Sequence, residues 1–262
     1  VTYRPLLGHP TWTILPRRSK PVVVLLHGGL SSSHSMLSGI GRSLAKDFGI
    51  GAFDRRGHGR TADTAEDFSY EAMADETIAY LELLGRRAHL VGHSDGGNVA
   101  LLVAARRPDL LKRVVVVGAN FHHAGLMDFP LLEPDAPGYE EWVEKFAASS
   151  PDGREHAREV LVKTNALFRS GPTMSADDLS AIAVPVLVLV GDDDVATLEH
   201  TVTLYESLAN AQLAVVPGAS HAVLKERPKE SARIIRRFLR QRLPVQTRAP
   251  IRRARDQGFP GD

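Results

Sequence analysis

A serine set among glycines is the first place where chemistry could be built. Gly92-His93-Ser94-Asp95-Gly96-Gly97 follows the apolar run Ala88–Val91 and opens a helical pattern from Gly97. A serine on so tight a strand-to-helix turn sits in a strained backbone, needs small neighbours, and presents its Oγ outward. The same turn aims the N–H of Asp95 at an oxyanion forming on a carbonyl attached to Ser94. A serine hydroxyl alone is a poor nucleophile; it needs a base, and the base needs an orienting acid. Two later motifs carry them. Gly191-Asp192-Asp193-Asp194 follows the run Val184–Val190, and Gly218-Ala219-Ser220-His221 follows Gln212–Val216. Of eleven histidines, only His221 combines that placement with an acidic loop before it. A second backbone donor for the oxyanion is expected from His27-Gly28-Gly29-Leu30, where the N–H of Gly29 is the candidate and that of Leu30 the reserve. His27 is read as fixing that loop by hydrogen bonding.

These residues need elements that bring them together. Pro21–His27, Ile50–Asp54, Ala88–Val91, Arg113–Gly118, Val184–Val190 and Gln212–Val216 are continuously apolar, which predicts strands covered on both faces. Between them, 36–46, 70–84, 97–106, 196–208 and 231–243 place apolar residues at helical spacing. Alternating strand and helix predicts an α/β fold with a mostly parallel sheet, in which the strand C-termini and their loops share one edge. All the candidate groups above then lie on that edge.

One segment breaks the rhythm. Residues 120–182 carry five prolines and short helical stretches but no strand pattern, which predicts a helical insertion, a lid, over the functional edge. The expected organisation is a core of 1–120 and 183–243, a lid at 121–182 and a basic tail at 244–262. The 262 residues include no cysteine, which excludes a disulfide framework, a thiolate metal site and a Cys nucleophile. The longest apolar runs fall far short of the roughly 18 residues a membrane helix needs, so no membrane association is expected. Neither end shows a signal-peptide pattern, and a cytoplasmic location is expected. From Arg233 onward nine arginines face two aspartates, a local charge of +7 on a chain of net charge +1. This reads as a solvated helix face followed by a loose tail, with no nucleic-acid partner expected.

Taken in order, HGG at 27–29, Asp54-Arg55-Arg56-Gly57-His58-Gly59-Arg60, GHSDGG at 92–97, the aspartate loop at 191–194 and the histidine loop at 218–221 make the chain similar to the α/β-hydrolase superfamily. The resemblance covers about residues 20–240. It implies an α/β-hydrolase fold and puts the acid, the third residue after the strand-ending glycine, on Asp194, with Asp193 as rival. The family's frequent proline a few residues later is missing from Val195-Ala196-Thr197-Leu198. It further implies that Arg55, Arg56 and His58 support a loop. No metal or organic cofactor is required. Ser94 at the elbow argues against epoxide hydrolase and haloalkane dehalogenase chemistry, which use Asp there. Carbon–carbon bond hydrolases, hydroxynitrile lyases, cofactor-free haloperoxidases and non-catalytic small-molecule binders of this fold keep Ser. The expected activity is hydrolysis of a small-molecule carboxylic ester, thioester or lactone. The GHSDGG elbow is similar to that of biphenyl hydrolase-like enzymes acting on amino acid esters, which implies that Asp95 reads a substrate ammonium; the alternative is a local hydrogen bond. Leu30, Asp95, Phe121, His122 and Trp142 are the expected substrate-binding residues, with Met127, Phe129 and Phe168 as further apolar candidates. Of the pair His122-His123, one is expected inward and one exposed. Oligomeric state is not legible.

Overall fold

The computed structural model describes residues 1–128 and 130–243, together with 245, 247 and 248. Phe129 and most of the expected tail lie outside the described residues. The strands are β1 (Thr2–Leu6), β2 (His9–Ile14), β3 (Val22–Leu26), β4 (Gly49–Phe53), β5 (Ala88–His93), β6 (Leu111–Val117), β7 (Val186–Asp193) and β8 (Ala211–Ser220). They form one sheet in the order β1-β2-β4-β3-β5-β6-β7-β8. Strands β3 to β8 run parallel, whereas β1 and β2 form an antiparallel hairpin that joins β4 antiparallel.

The continuous apolar runs have a physical reason in two cores. Side chains alternate along a strand, so a strand buried on both faces needs apolar residues at every position. Val22, Val24 and Leu26 of β3 enter one cluster, with Leu90, Val114, Val116, Val186 and Val188. Val23 and Leu25 enter the other, with Val91, Val115, Val117, Leu187 and Leu189. Strand β8 departs from expectation. It is the edge strand, and Leu213 and Val215 are exposed, so only part of its apolar run is buried.

The principal helices are α1 (Tyr70–Leu84), α2 (Asp95–Arg106), α3 (Tyr139–Ala147), α4 (Ala157–Ser170), α5 (Leu198–Ser207) and α6 (Pro228–Arg240). Residues 33–44 form a further helix interrupted by a π turn at Leu37–Gly41. Ser69 Oγ accepts from Ala72 N at the start of α1, and Gly85 closes that helix with φ 63°. Between β6 and β7 no strand occurs among the described residues; α3, α4 and the turn of helix Ala176–Ser180 lie there. Two isolated bridges, His122 to Thr173 and Leu126 to Ala196, tie this segment to itself and to the loop after β7. Part of the basic C-terminal region is engaged in the fold, since Arg236 and Arg240 of α6 both pair with Asp47, at 2.9 and 2.6 Å. Among the described residues no helix is long and apolar enough to cross a membrane.

Candidate active site

The elbow is set by packing. Ser94 has φ 54° and ψ −125°, a conformation a non-glycine residue adopts only when its surroundings enforce it. An added Cβ on Gly92 would lie 2.0 Å from the Gly96 carbonyl, so β5 and α2 approach too closely there for any side chain. The strand end is also pinned, because Ser94 N donates to Val117 O of the neighbouring strand at 2.8 Å. Asp95 opens α2, where first-turn N–H groups have no intrahelical acceptor and carry the positive end of the helix dipole.

The three loops converge. His221 Nε2 lies 3.0 Å from Ser94 Oγ, and His221 Nδ1 lies 2.7 Å from Asp194 Oδ1. Asp194 has a fully buried carboxylate and Ala196 N donates to its Oδ1. Asp193 is exposed, and Asp192 accepts from Ala219 N, which supports the histidine loop. His93, the variable residue of the elbow, places Nε2 2.8 Å from the His221 carbonyl. A carbonyl only accepts, so Nε2 carries the proton. Burial, and then the nearby His221, push His93 down to about 4, so it remains a neutral strut.

The loop at 27–30, the candidate oxyanion loop, is braced from below. Arg55 is fully buried and donates to His27 O at 2.6 Å and to Gly28 O at 3.2 Å. His27 donates from Nδ1 to Gly28 O and accepts from Arg55 N at Nε2. Burial first, and the Arg55 charge second, hold His27 well below its ordinary pKa, which keeps it out of acid–base work and matches a structural role. Arg56 ties the following loop to Thr64, Glu66 and Asp67.

A cavity of about 200 Å³ lies over Ser94. Leu30, Leu126, Phe168 and Val195 form its apolar wall; Tyr70, Asp95 and Asn120 form its polar wall. The polar wall is a hydrogen-bonded chain. Tyr70 OH donates to Asp95 Oδ1 at 2.8 Å, Asn98 Nδ2 donates to Tyr70 OH and Asn120 Oδ1, and Asn120 N donates to Asn98 Oδ1. Asp95 is therefore held locally, yet its Oδ2 is buried with no hydrogen-bond partner. Burial raises its pKa, opposed by the Arg55 charge and the Tyr70 hydrogen bond.

Of the expected substrate-binding residues, Leu30, Asp95 and Phe168 line this cavity. Four others do not. Phe121 is buried in the core on one face of the sheet and stacks on His200 of α5 at 4.0 Å, so it is a packing residue. His122 is taken up by its bridge to Thr173, and its Nδ1 accepts from Ala124 N. His122 and His123 are both half-buried and stack on each other at 4.5 Å, so the inward/outward split does not occur. Trp142 faces a neighbouring cleft and donates from Nε1 to Leu30 O at 3.3 Å. Met127 is exposed. Tyr70, Asn120, Leu126 and Val195 were not anticipated. Tyr70 is read in the sequence as the start of a core helix, and only its register against the elbow reveals it.

Among the described residues, the one cluster of three groups close enough to share a cation is Asp63, His156 and Glu159, within 4.8 Å. Lys163 already pairs with both carboxylates, 2.8 Å from Asp63 and 3.0 Å from Glu159, so it is an ion-pair cluster.

With the sheet order, the elbow and the converging loops in view, the family is defined: the chain belongs to the alpha/beta hydrolase family, whose sequence model matches residues 23–234. It is similar to a putative carbamate hydrolase, RutD, of Rhizobium rhizogenes, with 31% identity covering 85% of this chain and 94% of that protein. It is also similar to a pimeloyl-[acyl-carrier protein] methyl ester esterase of Aeromonas hydrophila, at 26% identity over 84% and 95% of the two chains. Among solved structures, the enol-lactonase of Burkholderia xenovorans superposes with a TM-score of 0.72 at 21% identity, covering 91% of this chain and all of that one, a likeness of fold.

Proposed function

We propose that this hydrolase cleaves a small carboxylic ester, thioester or lactone through an acyl-enzyme on Ser94. The observation that carries the reading is the Asp194–His221–Ser94 relay, at 2.7 and 3.0 Å, opening into a cavity of about 200 Å³. His221 takes the proton of Ser94 as Oγ attacks the carbonyl carbon. Asp194 holds the imidazole tautomer and stabilises its cation. The N–H groups of Asp95 and Gly29 receive the negative charge that develops on the former carbonyl oxygen. His221 then returns the proton to the leaving oxygen or sulfur. Water, deprotonated by His221, releases the acid and restores Ser94.

The name borne by the relative at 31% identity favours a second reading, cleavage of a carbamate, which presents the same electrophilic carbonyl to the same groups. Both readings are tested by one panel: p-nitrophenyl acetate, butyrate and octanoate, a valine ester and an aryl carbamate, with wild type and Ser94→Ala in parallel. Turnover that requires Ser94 and declines with chain length is the expected result. Undiminished cleavage by Ser94→Ala removes the mechanism. Failure of wild type both to turn over the panel and to react with a fluorophosphonate removes the hydrolase reading.

A further inference from the structure

A second cavity adjoins the first. It measures about 430 Å³, more than twice the volume above Ser94, and lies between the loops after β3 and β4 and helices α3 and α4 of the insertion. Leu30 lines both cavities. That residue has φ 50°, an uncommon value for a side chain of its size, and the Trp142 indole holds its carbonyl. It is thus a fixed partition directly beside the oxyanion loop.

The lining of the second cavity is one-sided in charge. Arg60, Lys145 and Lys225 contribute three cations, Ser31 and Ser149 are among its hydroxyls, and no Asp or Glu is among its lining residues. Two of the cations have carboxylates behind them. Arg60 pairs with the fully buried Asp54 at 3.3 Å and lies 4.0 Å over the Trp12 ring, so much of its charge is matched locally and Lys225 is the cation that most biases the wall. Lys145 pairs with Glu141 on the exposed side of α3. Lys225 has no carboxylate within ion-pairing distance among the described residues. His58, on the inner wall, is pushed down to about 4 by burial and the Arg55 charge, and so adds a neutral ring rather than a repelling or attracting charge.

An apolar acyl chain gains nothing from such a wall, and a cationic group would be repelled by it. Resting on the serine-hydrolase reading, we infer that the substrate carries a carboxylate or phosphate group, which this second cavity receives while the scissile carbonyl sits at Ser94 beyond Leu30. The specificity of the enzyme is then set by Lys225, Lys145 and Arg60 rather than by the small cavity alone.

The test compares kcat/KM for p-nitrophenyl acetate, mono-p-nitrophenyl glutarate and 4-acetoxyphenyl phosphate, which carry no anion, a carboxylate on the acyl side and a phosphate on the leaving side. At low salt at least one anionic ester is expected to exceed the neutral one by about tenfold, the scale of a charge-assisted hydrogen bond. Lys225→Glu should abolish that excess and Lys225→Gln should reduce it, with melting temperatures measured to establish that both variants fold. About 1 M salt, where the Debye length falls to about 3 Å, should also reduce it. The ester that gains identifies carboxylate or phosphate. An anionic-to-neutral ratio that is the same in wild type and Lys225→Glu, with Ser94-dependent turnover intact, overturns this inference and leaves the hydrolase reading standing. If no ester is turned over, fluorophosphonate labelling of Ser94 decides the hydrolase reading separately, while calorimetric titration of glutarate and of inorganic phosphate into wild type and Lys225→Glu decides the cavity; absence of Lys225-dependent binding overturns this inference.

Discussion

At the scale of single residues, the site depends on positions where one atom decides the chemistry. Asp194→Asn keeps the shape but reverses the hydrogen bond that fixes the His221 tautomer, and kcat for any substrate of the panel should fall by about 10⁴. Asp193→Asn should change it little, because Asp193 is exposed and it is Asp194 that meets His221 Nδ1; a larger loss there than at Asp194 would reassign the acid. Gly118 is a second such position. Its φ is 55°, and an added Cβ would lie 3.0 Å from both Asp194 Oδ2 and His221 Nδ1. Gly118→Ala should therefore displace the acid–base pair and lower kcat more than it raises KM, read from steady-state kinetics of an enzyme that remains folded. Asp95 offers a different kind of test. Asp95 lines the cavity over Ser94 and its Oδ2 has no hydrogen-bond partner, so a donor on a substrate bound there, such as an ammonium, would satisfy it. Asp95→Asn should cost the valine ester more than p-nitrophenyl butyrate; equal losses on the two would leave Asp95 with only its bond to Tyr70.

At the scale of elements, the helical segment between β6 and β7 is fastened to the loop after β4 by charge. Asp63, on the loop after β4, has a side chain only 1% exposed and receives Lys163 and His156 from the insertion and Arg56 from its own loop. Burial alone would raise its pKa, but the hydrogen bonds from Lys163 and His156 outweigh it and hold the carboxylate below its ordinary value. A carboxylate depressed in this way stabilises the fold above about pH 4 and loses that contribution as acid is added. Asp63→Asn leaves Lys163 buried with less compensation and should cost about 3 kcal/mol at neutral pH, a fall in melting temperature of roughly 6–12 °C. Because α4 also carries Phe168 to the cavity over Ser94, KM should rise in the same variant, whereas an unchanged KM would uncouple the fastening from the site. This latch was not legible in the sequence, since Asp63 and Lys163 are a hundred positions apart and neither lies in a motif. The six parallel strands were legible because burial on two faces forces continuous apolar runs. The hairpin β1–β2 was not, because prolines at Pro5 and Pro10 and exposed positions such as Tyr3 break both the apolar run and the alternation. The Leu7-Gly8 turn, with φ 52° and 83°, is what makes it a hairpin, and a leucine gives no turn signal. The candidate catalytic groups were readable because each follows a strand directly; the cavity walls were not, because Tyr70, Asn120 and Leu126 reach the cavity only through tertiary packing.

At the scale of the whole molecule, the charges enclosed between sheet, α1 and insertion set how stability responds to pH. Glu76 on α1 is the clearest case. It is half-buried, its Oε2 lies 3.4 Å from the Arg56 amide, and burial, opposed by the charges of Arg55 and Arg56, pushes it up to about 7 from an ordinary 4.5. A carboxyl whose folded pKa is raised binds its proton more tightly in the folded than in the unfolded chain. Stability from this group is therefore full below about pH 4.5, declines as pH rises through 7, and is constant above that. The decline is on the order of 2 kcal/mol for a shift of this size in a group that retains some contact with water. Glu76→Gln removes the ionisation while keeping an oxygen that accepts from the Arg56 amide. The variant should melt several degrees above wild type at pH 8 and together with it near pH 5. A variant that melts below wild type at pH 8 would mean that Arg55, buried beneath the oxyanion loop, depends on the Glu76 charge. In that event the same substitution should also lower kcat, because Arg55 holds the carbonyls of His27 and Gly28 that set the Gly29 amide in place.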